Sequence, residues 1–257
     1  PVGRIWSSRY GSVSTIRKGQ LEFTFHKDAV EWIKQVVDHK IENQQALLLM
    51  LMANNDQYAA RVEKAVGRME DYRLKISGLQ GEVVPDIASG LRGWEGTASR
   101  VYFETVNLFL PEVYRFAERS QHPAMDVVNA MLNYSYGILY GKIEGALIKA
   151  GIDPYIGVFH RDDYNRPVLV YDVIERYRVW ADYVVFTLVM QHVINDDCYS
   201  VREDGSYWLD NLGRRIVIQS LNDYLDEVIT IKGVQRSRLV QIDLYAQALA
   251  QQFKLYY

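Results

Sequence analysis

Asp28-Ala29-Val30-Glu31-Trp32-Ile33-Lys34-Gln35-Val36-Val37-Asp38-His39-Lys40-Ile41 is the stretch on which the fold turns. Its apolar members Val30, Ile33, Val36, Val37 and Ile41 fall at the spacing of one helix face, not at the alternation of a strand. The pattern runs on into the apolar block Ala46–Ala53. Asn54-Asn55-Asp56 then marks a break or a fresh helix cap. Toward the C-terminus the same kind of segment recurs. Tyr58–Ser77 is charged and amphipathic, and Gly78, Gly81 and Pro85 mark a turn after it. Ile87–Leu110 is a third helical stretch with glycines at 90, 93 and 96, and Pro111 starts or bends the next segment. Asp126–Ala150 reads as a helix stopped by Gly151 and Pro154. Val173–Ile194 reads as one long buried helix, ended by Asn195-Asp196-Asp197. Arg214–Ile229 and Ser237–Tyr256 are two final amphipathic helices.

The exceptions to this pattern are short. Ile156–Phe159 and Val168–Tyr171 read as small strands or extended segments around the polar turn Arg161–Arg166. Tyr199–Leu212 reads as a loop or small hairpin turning at Asp204-Gly205. Before Asp28, the runs Ile5–Tyr10, Ser12–Ile16 and Leu21–Phe25 are rich in β-branched and aromatic residues, with Gly11 and Lys18-Gly19 as turns. They predict strands, too few to bury a face alone. The expected architecture is therefore mainly α: residues 1–25 as the remnant of an N-terminal β domain, then a helical domain over 26–257.

Composition narrows the classes. The chain has 257 residues, 49% apolar and 24% charged, enough for a sizeable core without staples. Cys198 is the only cysteine, so no internal disulfide forms and a cytoplasmic location is expected. No signal peptide is legible in Pro1–Gln20, and no apolar run reaches the roughly 20 residues that span a bilayer. The formal net charge of -3 lends nothing to nucleic-acid binding, so local basic patches would have to carry it. A start at Pro1 without Met is expected of a piece of a longer protein.

Of the five histidines, His160 alone sits in a Gly/Pro-bounded turn with acids near it in sequence. Asp172 and Glu175 lie further on, three positions apart, so a helix would put them on one face. Glu95 lies between Gly93 and Gly96 on an otherwise apolar helix. Carboxylates plus one imidazole suit Mg²⁺ or Mn²⁺, which favour hard oxygen ligands. A blander account stands beside this one. Asp172-x-x-Glu175 before an apolar run is also a capping box, and spacing alone favours the cap. Glu95 would equally serve as a core acid paired with Arg92 or Arg100, and His160 as a satisfied turn histidine. Zincin, Walker, nucleophile-elbow and CxxC motifs are all missing from the sequence.

Five runs carry a resemblance. They are Lys40-Ile41-Glu42-Asn43-Gln44, Gly93–Phe103 (Gly-Trp-Glu-Gly-Thr-Ala, then Tyr-Phe), Asn133-Tyr134-Ser135-Tyr136-Gly137-Ile138-Leu139, Ala150–His160 (Ala-Gly-Ile-Asp-Pro, then Gly-Val-Phe-His) and Arg166–Arg178 (Arg-Pro-Val-Leu, then Asp-Val-Ile-Glu-Arg-Tyr-Arg). In this order they resemble the helical catalytic domain of the CRISPR-associated integrases of spacer acquisition, from about Asp28 to the end. The resemblance implies a metal-dependent DNA integrase or endonuclease that joins the 3′-hydroxyl of prespacer DNA to a phosphodiester at the leader–repeat boundary. It implies Glu95, His160 and Glu175 as ligands of Mg²⁺ or Mn²⁺, with Asp172 orienting the site or binding through water. Arg178 resembles the arginine after the Asp-x-x-Glu pair and is expected to contact phosphate. Asn133 and Tyr134 resemble residues near the site.

Further cations expected along DNA are Arg61, Lys64, Arg68, Arg73 and Lys75 on one helix, and Arg214, Arg215, Lys232, Arg236 and Arg238 near the end. Glu63, Glu70 and Asp71 offer these a solvated, charge-balanced alternative. The implied partners are double-stranded prespacer DNA, CRISPR leader–repeat DNA, a second copy of the chain and a small ferredoxin-like adaptation subunit bridging two dimers. A reverse transcriptase fused upstream would account for a mid-protein start, and no membrane is expected. Two other readings remain open on the residues alone: a metal-dependent nuclease working by hydrolysis, and a non-catalytic helical interaction module.

Overall fold

The computed structural model describes residues 12–160, 166–231 and 233–257. Among these the chain forms α1 (Val13–Phe23), α2 (Lys27–Asn54), α3 (Ala59–Ser77), α4 (Val84–Val106), α5 (Val127–Lys149), α6 (Val168–Ile174) and α7 (Arg178–Met190). Then come the hairpin β1 (Tyr199–Val201) and β2 (Tyr207–Leu209), α8 (Asn211–Asp226), the hairpin β3 (Val228–Ile231) and β4 (Val234–Ser237), and α9 (Arg238–Phe253). Both hairpins are antiparallel, in register Tyr199↔Leu209 and Val228↔Ser237. The mainly α class expected from the sequence is what forms.

Side chains start and stop these helices. Asp126 caps α5 by accepting from the Asn129 N–H at 2.7 Å, and Gly151 leaves it in the left-handed region at φ +85°. The Asp86 carboxylate accepts from the N–H groups of Glu82 and Val83 at the head of α4. α2, α3 and α4 pack on one another, while α5 lies against α6, α7, α8 and α9, and α2 touches α6 and α7. One continuous core links the two groups, from Val36 and Ile41 on α2 through Leu91 and Tyr102 on α4 to Leu139 on α5 and Val185 on α7. No described helix is long and apolar enough to cross a membrane.

The structure corrects several sequence expectations. Ser12–Ile16 and Leu21–Phe25 are not strands: α1 occupies this region and buries Ile16, Gly19, Gln20 and Phe23, a helical spacing. Packing has overridden β propensity there. Gly19 is not a turn residue but a contact point, since a Cβ on it would stand 1.9 Å from the Phe253 carbonyl oxygen. Ile5–Tyr10 lies outside the described residues. Val173–Ile194 is not one helix. Tyr177 and Trp180 donate to carbonyls three residues back, and this tight turn at 175–177 separates α6 from α7. Val168–Tyr171 is helical rather than extended. The helix over Arg214–Ile229 stops at Asp226, and Val228–Ser237 is a hairpin with Gly233 at φ +78°.

Candidate active site

Glu95 shares a face of α4 with Leu91, Ala98 and Tyr102, all buried, so an acid sits where the helix turns to the core. Lys40 does the same on α2, between buried Val36 and Gln44, and is 6% exposed. Glu175, at the C-terminal end of α6, reaches the same place. The three meet: the Lys40 ammonium pairs with Glu95 and lies 2.5 Å from Glu175 Oε2. Arg178, opening α7, sets Nε 3.2 Å from Glu175 Oε1, and Ser99 Oγ donates to Glu95 at 3.1 Å. Burial would lower the Lys40 pKa, but attraction from Glu175 and Glu95 outweighs it and holds it above the ordinary range. Burial would likewise raise the Glu175 pKa, but Arg178, Lys40 and, more weakly, His160 outweigh it and hold it below the usual carboxylate range. Both charges persist inside the protein because each is paired.

Asp172 is not a helix cap. α6 begins at Val168, so Asp172 falls late in it and Glu175 just beyond its end. The carboxylate is fully buried and gathers the preceding loop instead. Its Oδ2 accepts from the N–H groups of Val158 (2.8 Å) and Phe159 (3.0 Å). Its Oδ1 accepts from the His160 N–H (3.0 Å) and lies 2.7 Å from His160 Nδ1. An ionised carboxylate only accepts, so Nδ1 carries a proton, and in the neutral ring it is Nε2 that keeps the lone pair. The half-exposed imidazole is thus fixed in the tautomer a metal ligand needs.

The donor set fits a divalent cation in part. Glu95 and Glu175 already grip one positive charge between them, the Lys40 ammonium. Two carboxylates and an Nε2 imidazole are chemistry for Mg²⁺ or Mn²⁺. As arranged, however, no three His, Cys, Asp or Glu side chains among the described residues stand close enough to hold an ion. Lys40 stands between the two glutamates.

A cavity of about 540 Å³ opens beside this pair, lined by Lys40, Glu95, Arg100, Arg119, Tyr136, Arg178 and Asp182 among others. Behind it Asp182 is buried and accepts from Tyr102 OH at 3.0 Å and from Tyr136 OH. Burial pushes its pKa up, against the pull of those two hydroxyls. Arg119 is braced by Asn129 and by Asn133 Oδ1 at 2.9 Å, and stacks on Phe103 and Tyr136. Sequence reasoning gave no role to Lys40, Arg119, Tyr102, Tyr136 or Asp182. A lysine at an apolar-face position of α2 is the signal that could have found Lys40.

The expected DNA cations are scattered. On α3, Arg61, Lys64, Arg68 and Lys75 are exposed. Arg73 is committed to Asp38 (2.7 Å) and Glu70 (3.0 Å), and Lys75 sits over the Trp94 ring. Arg214 donates to the Leu209 carbonyl, Arg215 and Arg236 are exposed, and Arg238 pairs with Glu227 and stacks on Tyr224. Lys232 lies outside the described residues. Asn133 braces Arg119, whereas Tyr134 lines a separate, more apolar cavity with Trp208.

Known proteins share both the sequence pattern and the fold. Residues 1–223 match the family model of CRISPR associated protein Cas1. The chain is similar to CRISPR-associated endonuclease Cas1 1 of Archaeoglobus fulgidus, 32% identical over 243 residues, covering 90% of this chain and 70% of that protein. The chain spans 54% to 70% of the length of three of the curated relatives it matches. Its fold resembles a casposase bound to integration product, with TM-score 0.77 and 19% identity over 96% of this chain and 70% of that one. It also resembles a chain of a Cas6-RT-Cas1–Cas2 complex, with TM-score 0.83 and 22% identity over 98% of this chain and 26% of that one.

Proposed function

The chain belongs to the Cas1 family of CRISPR-associated proteins, and on that footing we propose that it is a metal-dependent DNA integrase and endonuclease that inserts prespacer DNA into a CRISPR array. One observation carries the reading: Glu95 and Glu175, distant in sequence, converge on a single cation, the Lys40 ammonium, and Lys40 and Glu95 line a cavity that also holds three arginines. A 3′-hydroxyl of the prespacer attacks the phosphodiester at the leader–repeat boundary. The new P–O bond forms as the bond to the target's 3′-oxygen breaks, and that oxygen leaves and takes up a proton. Mg²⁺ or Mn²⁺, held by Glu95, Glu175 and His160 Nε2, would supply charge stabilisation at phosphorus and activation of the attacking hydroxyl.

The chain's own residues do the rest. Asp172 holds His160 in orientation and tautomer. Arg178, Arg119 and Arg100 line the cavity and would face a strand's phosphates, sharing that lining with the acids Glu95, Glu104, Glu118 and Asp182. The buried Tyr102–Asp182–Tyr136 cluster fixes the wall between α4, α5 and α7. Among the outer cations, Arg61, Lys64, Arg68 and Lys75 are open to solvent and available for further DNA contacts. The same reading gives the chain a second copy of itself and a small ferredoxin-like adaptation subunit as partners, and allows an upstream reverse transcriptase, in keeping with the Cas6-RT-Cas1–Cas2 neighbour.

The test is strand transfer into a supercoiled plasmid carrying a leader–repeat, with and without prespacer DNA, in Mg²⁺ and in Mn²⁺. Glu95→Ala and His160→Ala are expected to abolish covalently joined products while circular dichroism stays native. Undiminished joining by either variant refutes the site. Plasmid nicking that needs Glu95 and never yields joined product would make the chain a hydrolytic nuclease instead.

A further inference from the structure

The Lys40 ammonium is an unusual occupant for the gap between two acids expected to bind metal. It is carried on a core-facing position of α2, its side chain is 7% exposed, and it contacts both Glu95 and Glu175. With Arg178 on the far oxygen of Glu175, the cluster holds two carboxylates and two cations and is formally neutral. A divalent ion entering this cluster would leave two uncompensated positive charges in a poorly solvated site, a costly arrangement. If Lys40 withdraws, one excess charge remains, and a single phosphodiester balances it.

We propose that Lys40 is a built-in counter-ion that competes with the divalent ion for Glu95 and Glu175, so that metal and DNA phosphate enter together. The proposal rests on the metal-site reading above and names how that site is regulated. Lys40 also lines the cavity, so its side chain has open space on the side where the phosphate would lie. Without DNA the two acids stay paired to Lys40, and the affinity for metal is low. With DNA the released ammonium gains a phosphate partner of its own, next to the one that balances the ion. The chain is thereby poorly loaded with metal until its substrate arrives. Asp172 does not share in the competition, because its oxygens are spent on three backbone N–H groups and on His160.

Mn²⁺ binding, followed by calorimetry and by the paramagnetic signal of free Mn²⁺, tests this on the intact chain without any turnover. Lys40→Met keeps the stem and removes the charge. It is expected to tighten Mn²⁺ binding by at least about tenfold in the absence of DNA, a conservative figure for deleting a unit charge in contact with both acids. Adding a short duplex is expected to tighten Mn²⁺ binding to the wild type far more than to the variant. A lysine that merely supports the fold would give weaker binding on removal, which overturns the proposal. A variant that binds Mn²⁺ as the wild type does, with Glu95→Gln abolishing binding in both, also overturns it and leaves the metal site standing. Binding that is indifferent to Glu95→Gln removes the metal site itself, and the proposal with it. Should Lys40→Met fail to fold, [¹⁵N]lysine-labelled wild type decides. A protected ammonium signal that vanishes on saturation with Mg²⁺ and duplex supports displacement, and one that persists refutes it.

Discussion

Replacing Asp172 by Asn tests whether this carboxylate organises the His160 loop. The carboxylate is wholly buried, and each of its oxygens serves two donors: Val158 and Phe159 N–H on one side, His160 N–H and Nδ1 on the other. An amide of the same shape supplies one accepting oxygen and one NH₂. While His160 keeps its tautomer, the NH₂ faces two donors whichever way it sits. Two hydrogen bonds to a charged acceptor are lost, at about 1.5 kcal/mol each by the low end of such bonds, or about 3 kcal/mol. For a chain of this size that lowers Tm by about 6–12 °C. Calorimetry reads the total, and amide hydrogen exchange locates it: Val158, Phe159 and His160 should exchange about tenfold faster or more, while Val101 in α4 tracks only the global change. A Tm within about 2 °C of wild type, with those three amides still protected, refutes the carboxylate's role. Strand transfer should fall further than stability does, because His160 loses the partner that fixes its tautomer.

Gly157→Ala should also disable the loop. The added Cβ would stand 2.3 Å from the His160 carbonyl oxygen and 2.8 Å from Val168 Cγ2, so strand transfer and Tm both drop. Gly93→Ala, with nothing within 4 Å of its new Cβ, should instead raise stability by up to about 1 kcal/mol. Burial raises the Asp182 pKa above the unfolded value, so the folded state holds this proton longer than the unfolded one. Stability from this group is therefore full below about pH 4 and lost as pH rises through the folded pKa. Asp182→Asn is expected to remove that loss: the variant's stability relative to wild type should climb as pH rises above about 4, and a flat difference in denaturation midpoints would contradict it. Arg73→Ala should cost about 1 kcal/mol in urea unfolding by breaking its pairs with Asp38 and Glu70, with little change in DNA affinity by fluorescence anisotropy.

Periodicity made the long amphipathic helices legible, because α2, α3, α4 and α5 each bury one face over many turns. It failed where a short-range preference met a long-range contact. Val13, Thr15 and Ile16 look like strand residues, yet Ile16, Gly19 and Phe23 fit one helical face against the end of α9. It failed again at Glu175–Tyr177, where the chain stays apolar around a tight turn and hydropathy registers no break. The Val228–Ser237 hairpin, by contrast, had a visible signal in its β-branched run before Gly233. At the site, residue types pointed to Glu95, His160, Asp172 and Glu175; sequence spacing put Asp172 and Glu175 on one helix face, and only the family resemblance gave them different roles, Glu175 as ligand and Asp172 as orienter. In the structure Asp172 is spent on the His160 loop and Glu175 on Lys40. Glu175 keeps helical dihedrals at the end of α6, so the two acids still follow the helical spacing, and it is Arg178, beyond the turn, whose placement the break resets. The turn that hydropathy cannot see therefore sets how Arg178 meets Glu175, while the two acids differ because different elements pack around them: the His160 loop at Asp172, α2 with Lys40 at Glu175.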